Sequence, residues 1–146
     1  MKNYTSTVPA SRTVSRIEEL LVRAGAGNIM KDYAEGRLGA ICFSIDVQGK
    51  KFAVRIPANI AAVEKIFLAK RKQRTTKEAL ERIRQQAERT AWKIMQDWTE
   101  VQISLIEMQQ AEFLQVFLPY IWNGKTTMYL EFKKSGYLLP EYKEPK

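Results

Sequence analysis

The sequence predicts an α+β fold: an antiparallel sheet of three to four strands packed by an N-terminal helix and a long C-terminal helix. Three observations carry that expectation. Val14, Ile17, Leu20, Leu21 and Ala24 recur at helical spacing. Ile41, Phe43, Ile45 and Val47 alternate with less apolar neighbours, and Phe52, Val54 and Ile56 repeat the alternation. From Thr75 to Trp122 the helical period returns over a stretch far longer than an ordinary helix. With 146 residues, 45% of them hydrophobic, the chain has the size and apolar content of one domain with its own core, and 1–146 is read as a single unit.

In order along the chain, residues 1–12 are polar, include Pro9 and read as an arm. Thr13 is placed as the N-cap of the first helix, and Gly25 ends it, because glycine takes the left-handed cap conformation without strain. Residues 28–33 carry no decisive period. Ala34-Glu35-Gly36-Arg37 is a turn, and Leu38 to Val47 a strand. Gly49-Lys50 is read as a two-residue hairpin turn, which pairs Val47 with Phe52, Ile45 with Val54 and Phe43 with Ile56 on one apolar face. The other face carries Cys42, Ser44, Asp46, Lys51, Ala53 and Arg55, where Ser44, Asp46 and Arg55 line either a site or a solvated surface.

Asn59 is suited to cap a helix running to Ala69. Thr75 with Glu78 has the T-x-x-E spacing of a capping box and is taken as the start of the long helix. Its predicted inner stripe is Leu80, Ile83, Ala87, Ala91, Ile94, Trp98, Val101 and Leu105, widened past the midpoint by a second row, Met95, Thr99, Ile103 and Ile106, with a kink or break at Gln109-Gln110. Phe113 to Trp122 is the densest apolar patch, serving core packing or a homo-oligomer contact. Thr126 to Lys133 alternates Met128, Leu130 and Phe132 with Thr127, Tyr129 and Glu131, which predicts a further strand. Residues 134–146, with Pro140 and Pro145, read as an irregular tail.

Charge is the most informative functional feature. The net charge is +8, and it is unevenly spread. Residues 65–93 hold ten basic residues against three acidic ones, whereas 94–132 hold one against five. A basic block of this kind suits an acidic partner, because phosphate neutralisation by Lys and Arg dominates nucleic-acid affinity. A solvated helix face is the competing explanation, although of Glu78–Arg82, Glu81–Gln85 and Glu88–Trp92 only the first is an oppositely charged pair. Lys70, Arg71, Lys72, Arg74, Lys77, Arg84, Arg89 and Lys93 are therefore the candidate partner-binding residues. Arg89, Trp92, Lys93, Asp97 and Trp98 cluster over two turns, so Trp92 is either a platform for nucleotide stacking or core.

Catalytic chemistry is narrowly bounded. The chain has no His and a single Cys, Cys42. Zinc sites of the usual kind and His-dependent nucleophilic triads are excluded, and no internal disulfide can form. Glu100 and Glu107 lie on one helix face, with Gln96, Asp97 and Glu131 as further oxygen donors for a hard cation, but no converging set is evident. No catalytic residue, metal or cofactor is assigned. The polar N-terminus lacks a signal-peptide apolar region, and no run is long enough to span a bilayer, so a soluble, cytoplasmic protein is expected.

Two resemblances add a setting. The order helix, three strands, helix in residues 13–70 resembles a double-stranded-RNA-binding domain, although Pro57-Ala58-Asn59-Ile60-Ala61-Ala62 stands where those domains place a lysine cluster. The phrases Thr13-Val14-Ser15-Arg16-Ile17-Glu18-Glu19-Leu20-Leu21, Ile56-Pro57-Ala58-Asn59, Ala91-Trp92-Lys93-Ile94-Met95-Gln96-Asp97-Trp98 and Val116-Phe117-Leu118-Pro119-Tyr120 resemble an uncharacterised small-protein family of bacteriophages and prophages. That resemblance implies a non-enzymatic accessory protein in the bacterial host cytoplasm. Its expected partner is nucleic acid or an acidic host protein, with no membrane and with homo-oligomers open. The alternatives are an anti-defence inhibitor of a host immune protein such as a CRISPR effector, and a sponge for a signalling nucleotide using Arg55, Arg89 or Trp92.

Overall fold

A computed structural model of the chain describes residues 6–137 and 142–145. The element order is α1 (Ala10–Arg23), β1 (Gly27–Ala34), β2 (Arg37–Val47), β3 (Lys50–Pro57), α2 (Ile60–Lys70), α3 (Lys77–Glu107), α4 (Phe113–Phe117), a 3-10 turn (Leu118–Tyr120) and α5 (Met128–Lys134). The fold is α+β. The antiparallel sheet has three strands in the order β1-β2-β3, and α3 packs along both α1 and α2.

The first helix begins one turn earlier than expected. Pro9 occupies the cap position, its carbonyl accepts from the Thr13 amide at 3.2 Å, and Thr13 lies buried inside α1. The predicted arm therefore ends at Pro9; residues 1–5 of it lie outside the described residues. At the other end Gly25 sits at φ +97°, and the Ala26 amide donates to the Leu21 carbonyl at 2.9 Å, closing the helix as predicted.

The segment 27–34, which showed no clear period, is the edge strand β1. Two register irregularities, between Gly27 and Met30 and between Asp32 and Tyr33, interrupt its alternation. The hairpin turn is Gln48-Gly49 rather than Gly49-Lys50: Val47 pairs with Lys50, so Phe52 faces Ile45, Val54 faces Phe43 and Ile56 faces Ile41. Both turn residues have positive φ, +52° and +79°, which is the type I′ requirement and matches the twist of the strands. A shift of two residues leaves every side chain on its predicted face, so the apolar face survives the correction.

That face meets α1 and α3. Ile17, Leu20, Leu21, Ile41, Val54, Ile56, Trp92, Ile103 and Phe117 are completely enclosed. The Trp92 indole N–H donates to the Leu38 carbonyl at 3.1 Å, joining α3 to β2. Edge-to-face contacts continue the core: Phe43 lies 5.9 Å from Phe117, and Trp98 lies 5.6 Å from Phe117 and 5.4 Å from Tyr120. The buried side of α3 follows the predicted stripe at Ala87, Ala91, Thr99 and Ile103 and departs from it elsewhere. Trp92 and Gln96 are also buried, while Val101 is 57% exposed. Thr99 is admitted to the interior because its hydroxyl donates to the Met95 carbonyl at 2.7 Å.

The long helix is capped by Thr76, whose hydroxyl accepts from the Ala79 amide at 3.1 Å; the proposed Thr75–Glu78 box does not form. It stops at Glu107, close to the expected break. Gln109 takes φ +59°, and the Gln110 amide donates to the Leu105 carbonyl at 2.9 Å. Glu100 and Glu107, weighed above as cation ligands, face Arg16 (3.8 Å) and Arg23 (2.9 Å) of α1.

The predicted strand over Thr126 to Lys133 is instead helix α5. The Thr127 hydroxyl accepts from the Leu130 amide at 3.3 Å, and Gly136 at φ +84° terminates the helix. Among the described residues, the sheet is extended beyond β3 only by single bridges, Val54 to Ile121 and Trp122 to Thr127. Of the predicted tail, Lys134 still belongs to α5, and 138–141 and 146 lie outside the described residues. Among the described residues, no helix is long and apolar enough to cross a membrane. The cap assignment is directly testable: Thr76→Ala is expected to cost about 1 kcal/mol in denaturant unfolding and Thr75→Ala only a few tenths, and equal losses would return the cap to Thr75.

Candidate functional site

The basic block folds into a helical hairpin. Asn59 caps α2 through its side-chain oxygen, which accepts from the Ala62 amide at 3.1 Å. Lys70 falls in the last turn of α2, where a cation complements the helix dipole. Arg71 leaves the helix in an extended conformation, and the chain re-enters α3 at Thr76. Small residues on the inner side, Ala79 and Ala87, are buried where α3 meets its neighbours.

Between the two helices lies an open groove of about 650 Å³. Phe67, Lys70 and Arg71 form one wall, and Arg82, Gln85, Gln86 and Arg89 the other, over a floor that includes Ala79 and Ile83. Among the described residues, four cations line it and no carboxylate does. The spacing of 82, 85, 86 and 89 is that of one helix face, which is why these four side chains arrive together.

Two of the cations, Arg71 and Arg89, are held by neutral groups, and none of the four meets a carboxylate among the described residues. Arg89 Nε donates to the Gln86 side-chain oxygen at 3.2 Å and to the Ser6 carbonyl at 3.3 Å. Gln86 Nε2 also donates to the Ser6 carbonyl, at 3.0 Å. Arg71 Nη2 donates to the Arg74 carbonyl at 3.4 Å, and its buried Nε has no partner among the described residues. Lys70 and Arg82 are exposed. Such an arrangement binds anions by charge and by forked N–H donation; it offers no nucleophile or general base.

The predicted site residues thus divide. Lys70, Arg71 and Arg89 are brought into the groove. Lys72 and Arg74 are exposed on the link between α2 and α3. Lys77 lies with Arg84 in a separate depression that also contains Glu78 and Glu81. Arg84 turns from the groove to Glu64 of α2, at 3.0 Å, and its charge is matched there. Lys93 is one turn beyond, near Asp97 at 3.9 Å. Trp92 is fully buried with its N–H engaged by Leu38, so it is a core residue and offers no face to a nucleotide. Arg82, Gln85 and Gln86 were not among the predicted site residues; their signal was the seven-residue spacing from Arg82 to Arg89.

Comparisons with protein-family models, with curated proteins and with solved structures return no match. The groove is therefore interpreted from its own chemistry. Titrating pyrophosphate while observing arginine side-chain resonances is expected to shift the Nε–H signals of Arg71, Arg82 and Arg89 and to leave Arg84 in place. Movement of Arg84 ahead of the other three would put the anion on the opposite side of α3.

Proposed function

We propose that the protein is a non-enzymatic binding protein that holds a polyanionic partner, nucleic acid, in the groove between α2 and α3. The observation that carries this reading is the convergence of Lys70, Arg71, Arg82 and Arg89 on one concavity without a lining carboxylate. Phosphate oxygens satisfy such donors, and the released counterions supply affinity without base recognition. Gln85 and Gln86 add neutral donors and acceptors suited to sugar or phosphate oxygens. Lys72 and Arg74 on the adjoining link extend the positive surface beyond the groove. The likeness to bacteriophage and prophage proteins supports an accessory role in the cytoplasm of a bacterial host.

An acidic host protein, including a component of host defence, would use the same cations. Pull-down from host lysate with and without prior nuclease treatment separates the two, since a partner bridged by nucleic acid is lost on digestion.

The quantitative test is salt dependence. Four phosphate contacts give a log–log slope of roughly −3 to −4 for affinity against salt. Arg82→Ala is expected to weaken binding of any sequence similarly and to flatten the slope by about 0.7–0.9. Binding indifferent to salt, or an unchanged slope in Arg82→Ala, would sink the proposal.

A further inference from the structure

A second concavity lies where the edge of β3 meets the 3-10 turn and the start of α5. Its volume is about 350 Å³, at the lower end of the ~300–1,000 Å³ common for small-molecule sites. Arg55 enters from the sheet, Tyr120 and Trp122 from the segment after α4, and Lys125, Thr126 and Tyr129 from the turn and α5. No carboxylate lines it among the described residues.

Its walls are held by the backbone. The Trp122 amide donates to the Ala53 carbonyl at 2.9 Å, and the Met128 amide to the Ile121 carbonyl at 2.9 Å. Asn123 Oδ1 accepts from the amides of both Lys125 and Thr126 at 2.9 Å, fixing the turn between them. Tyr120 is backed edge-on by Trp98. The Arg55 guanidinium is anchored by Asp32 across the sheet at 2.6 Å and lies 5.9 Å from the centre of the Trp122 ring. Burial opposes the charge on Arg55, but the hydrogen bond to Asp32 and a weaker one to Cys42 outweigh it, and the pKa is raised. Lys125 is exposed and has no acidic partner among the described residues.

We propose that this pocket binds a nucleoside monophosphate, the base against Trp122 and Tyr129 and the phosphate toward Lys125 and Arg55. A lining of flat π surfaces, two cations and no acid selects a ligand that is both planar and anionic, and the volume suits one nucleotide rather than an oligomer. Asp32 already offsets part of the Arg55 charge, so Lys125 supplies most of the uncompensated attraction. The uncharged side-chain groups able to hydrogen-bond a base edge are the Thr126, Thr127 and two tyrosine hydroxyls and the Trp122 indole N–H, with no amide side chain among them to pair two positions of one base. Selectivity therefore follows stacking strength, purines over pyrimidines. This site is independent of the α2–α3 groove.

Calorimetric titration of the full chain with 5′-AMP, 5′-UMP, adenosine and inorganic phosphate tests it. AMP is expected to bind saturably at one site, UMP more weakly, and adenosine and phosphate at least about tenfold more weakly than AMP. Trp122→Leu is expected to lose about tenfold in AMP affinity. The surface change Lys125→Glu, which disturbs no packing, should lose a similar factor, and Arg82→Ala in the groove should lose nothing. A 5′-phosphorylated trinucleotide identifies the source of the ligand: equal affinity to AMP supports free mononucleotides, and higher affinity supports strand ends carrying the same group. Absence of saturable AMP binding by the unaltered chain, or unchanged affinity in both Trp122→Leu and Lys125→Glu, overturns the proposal.

Discussion

The hydrogen bond from the Trp92 indole to the Leu38 carbonyl is the constraint on which the arrangement of the long helix depends. A fully buried indole must place its N–H on an acceptor, since an unmade buried bond costs about 1–3 kcal/mol. Only one rotation of α3 about its axis meets that demand. With position 92 turned to the sheet, Gln96, Thr99 and Ile103 follow it inward. The face carrying Arg82, Gln85, Gln86 and Arg89 is turned to the groove beside α2. The orientation of the groove face is thus set by a contact in the core ten residues from Arg82.

The parts of the fold legible in the sequence were those governed by side-chain parity. The apolar face of the β2–β3 hairpin was recovered even though its turn was displaced, because a slip of two residues preserves faces. Where parity breaks, the reading fails. The irregularities in β1 interrupt the alternation that marks a strand. In α5, Met128, Leu130 and Phe132 alternate like a strand over only seven residues, and the deciding features are the cap at Thr127 and the stop at Gly136. The inner side of α3 was legible at Ala87, Ala91, Thr99 and Ile103 and misjudged at Val101, which is exposed, and at Gln96, which is buried. The helix packs its neighbours through Ala87, Thr90 and Thr99, which permit close approach. Charge at the candidate site was equally plain from the sequence, but its pairing was not. Arg84 meets a carboxylate twenty residues away, and Trp92 stayed open between platform and core because hydrophobicity alone does not distinguish a rim indole from a buried one.

The basic front of α3 runs against the local preference of a helix. Cations near an N-terminus face the positive end of the backbone dipole and weaken the first turns by a few tenths of a kcal/mol each. Stability there comes instead from the Thr76 cap, from Glu78 in the first turn and from packing against α2. α2 itself has no fully buried residue, so this end of the molecule is held by a modest interface. A surface that tolerates unfavourable self-energy and shallow packing is consistent with one kept for a partner rather than for the fold.

The pairing of Glu100 with Arg16 and of Glu107 with Arg23 has a wider meaning. Those bridges bring cations of α1 to the acidic end of a helix about 46 Å long at 1.5 Å per residue, while the opposite end keeps its groove cations unmatched. Positive charge is therefore displaced toward one pole of the molecule. In the field of an extended anion such an asymmetry would exert a torque as well as a pull, turning the groove toward the anion before contact. For the proposed partner, productive encounters would then make up a larger share of all collisions than random orientation allows, an advantage that fades as the Debye length shrinks.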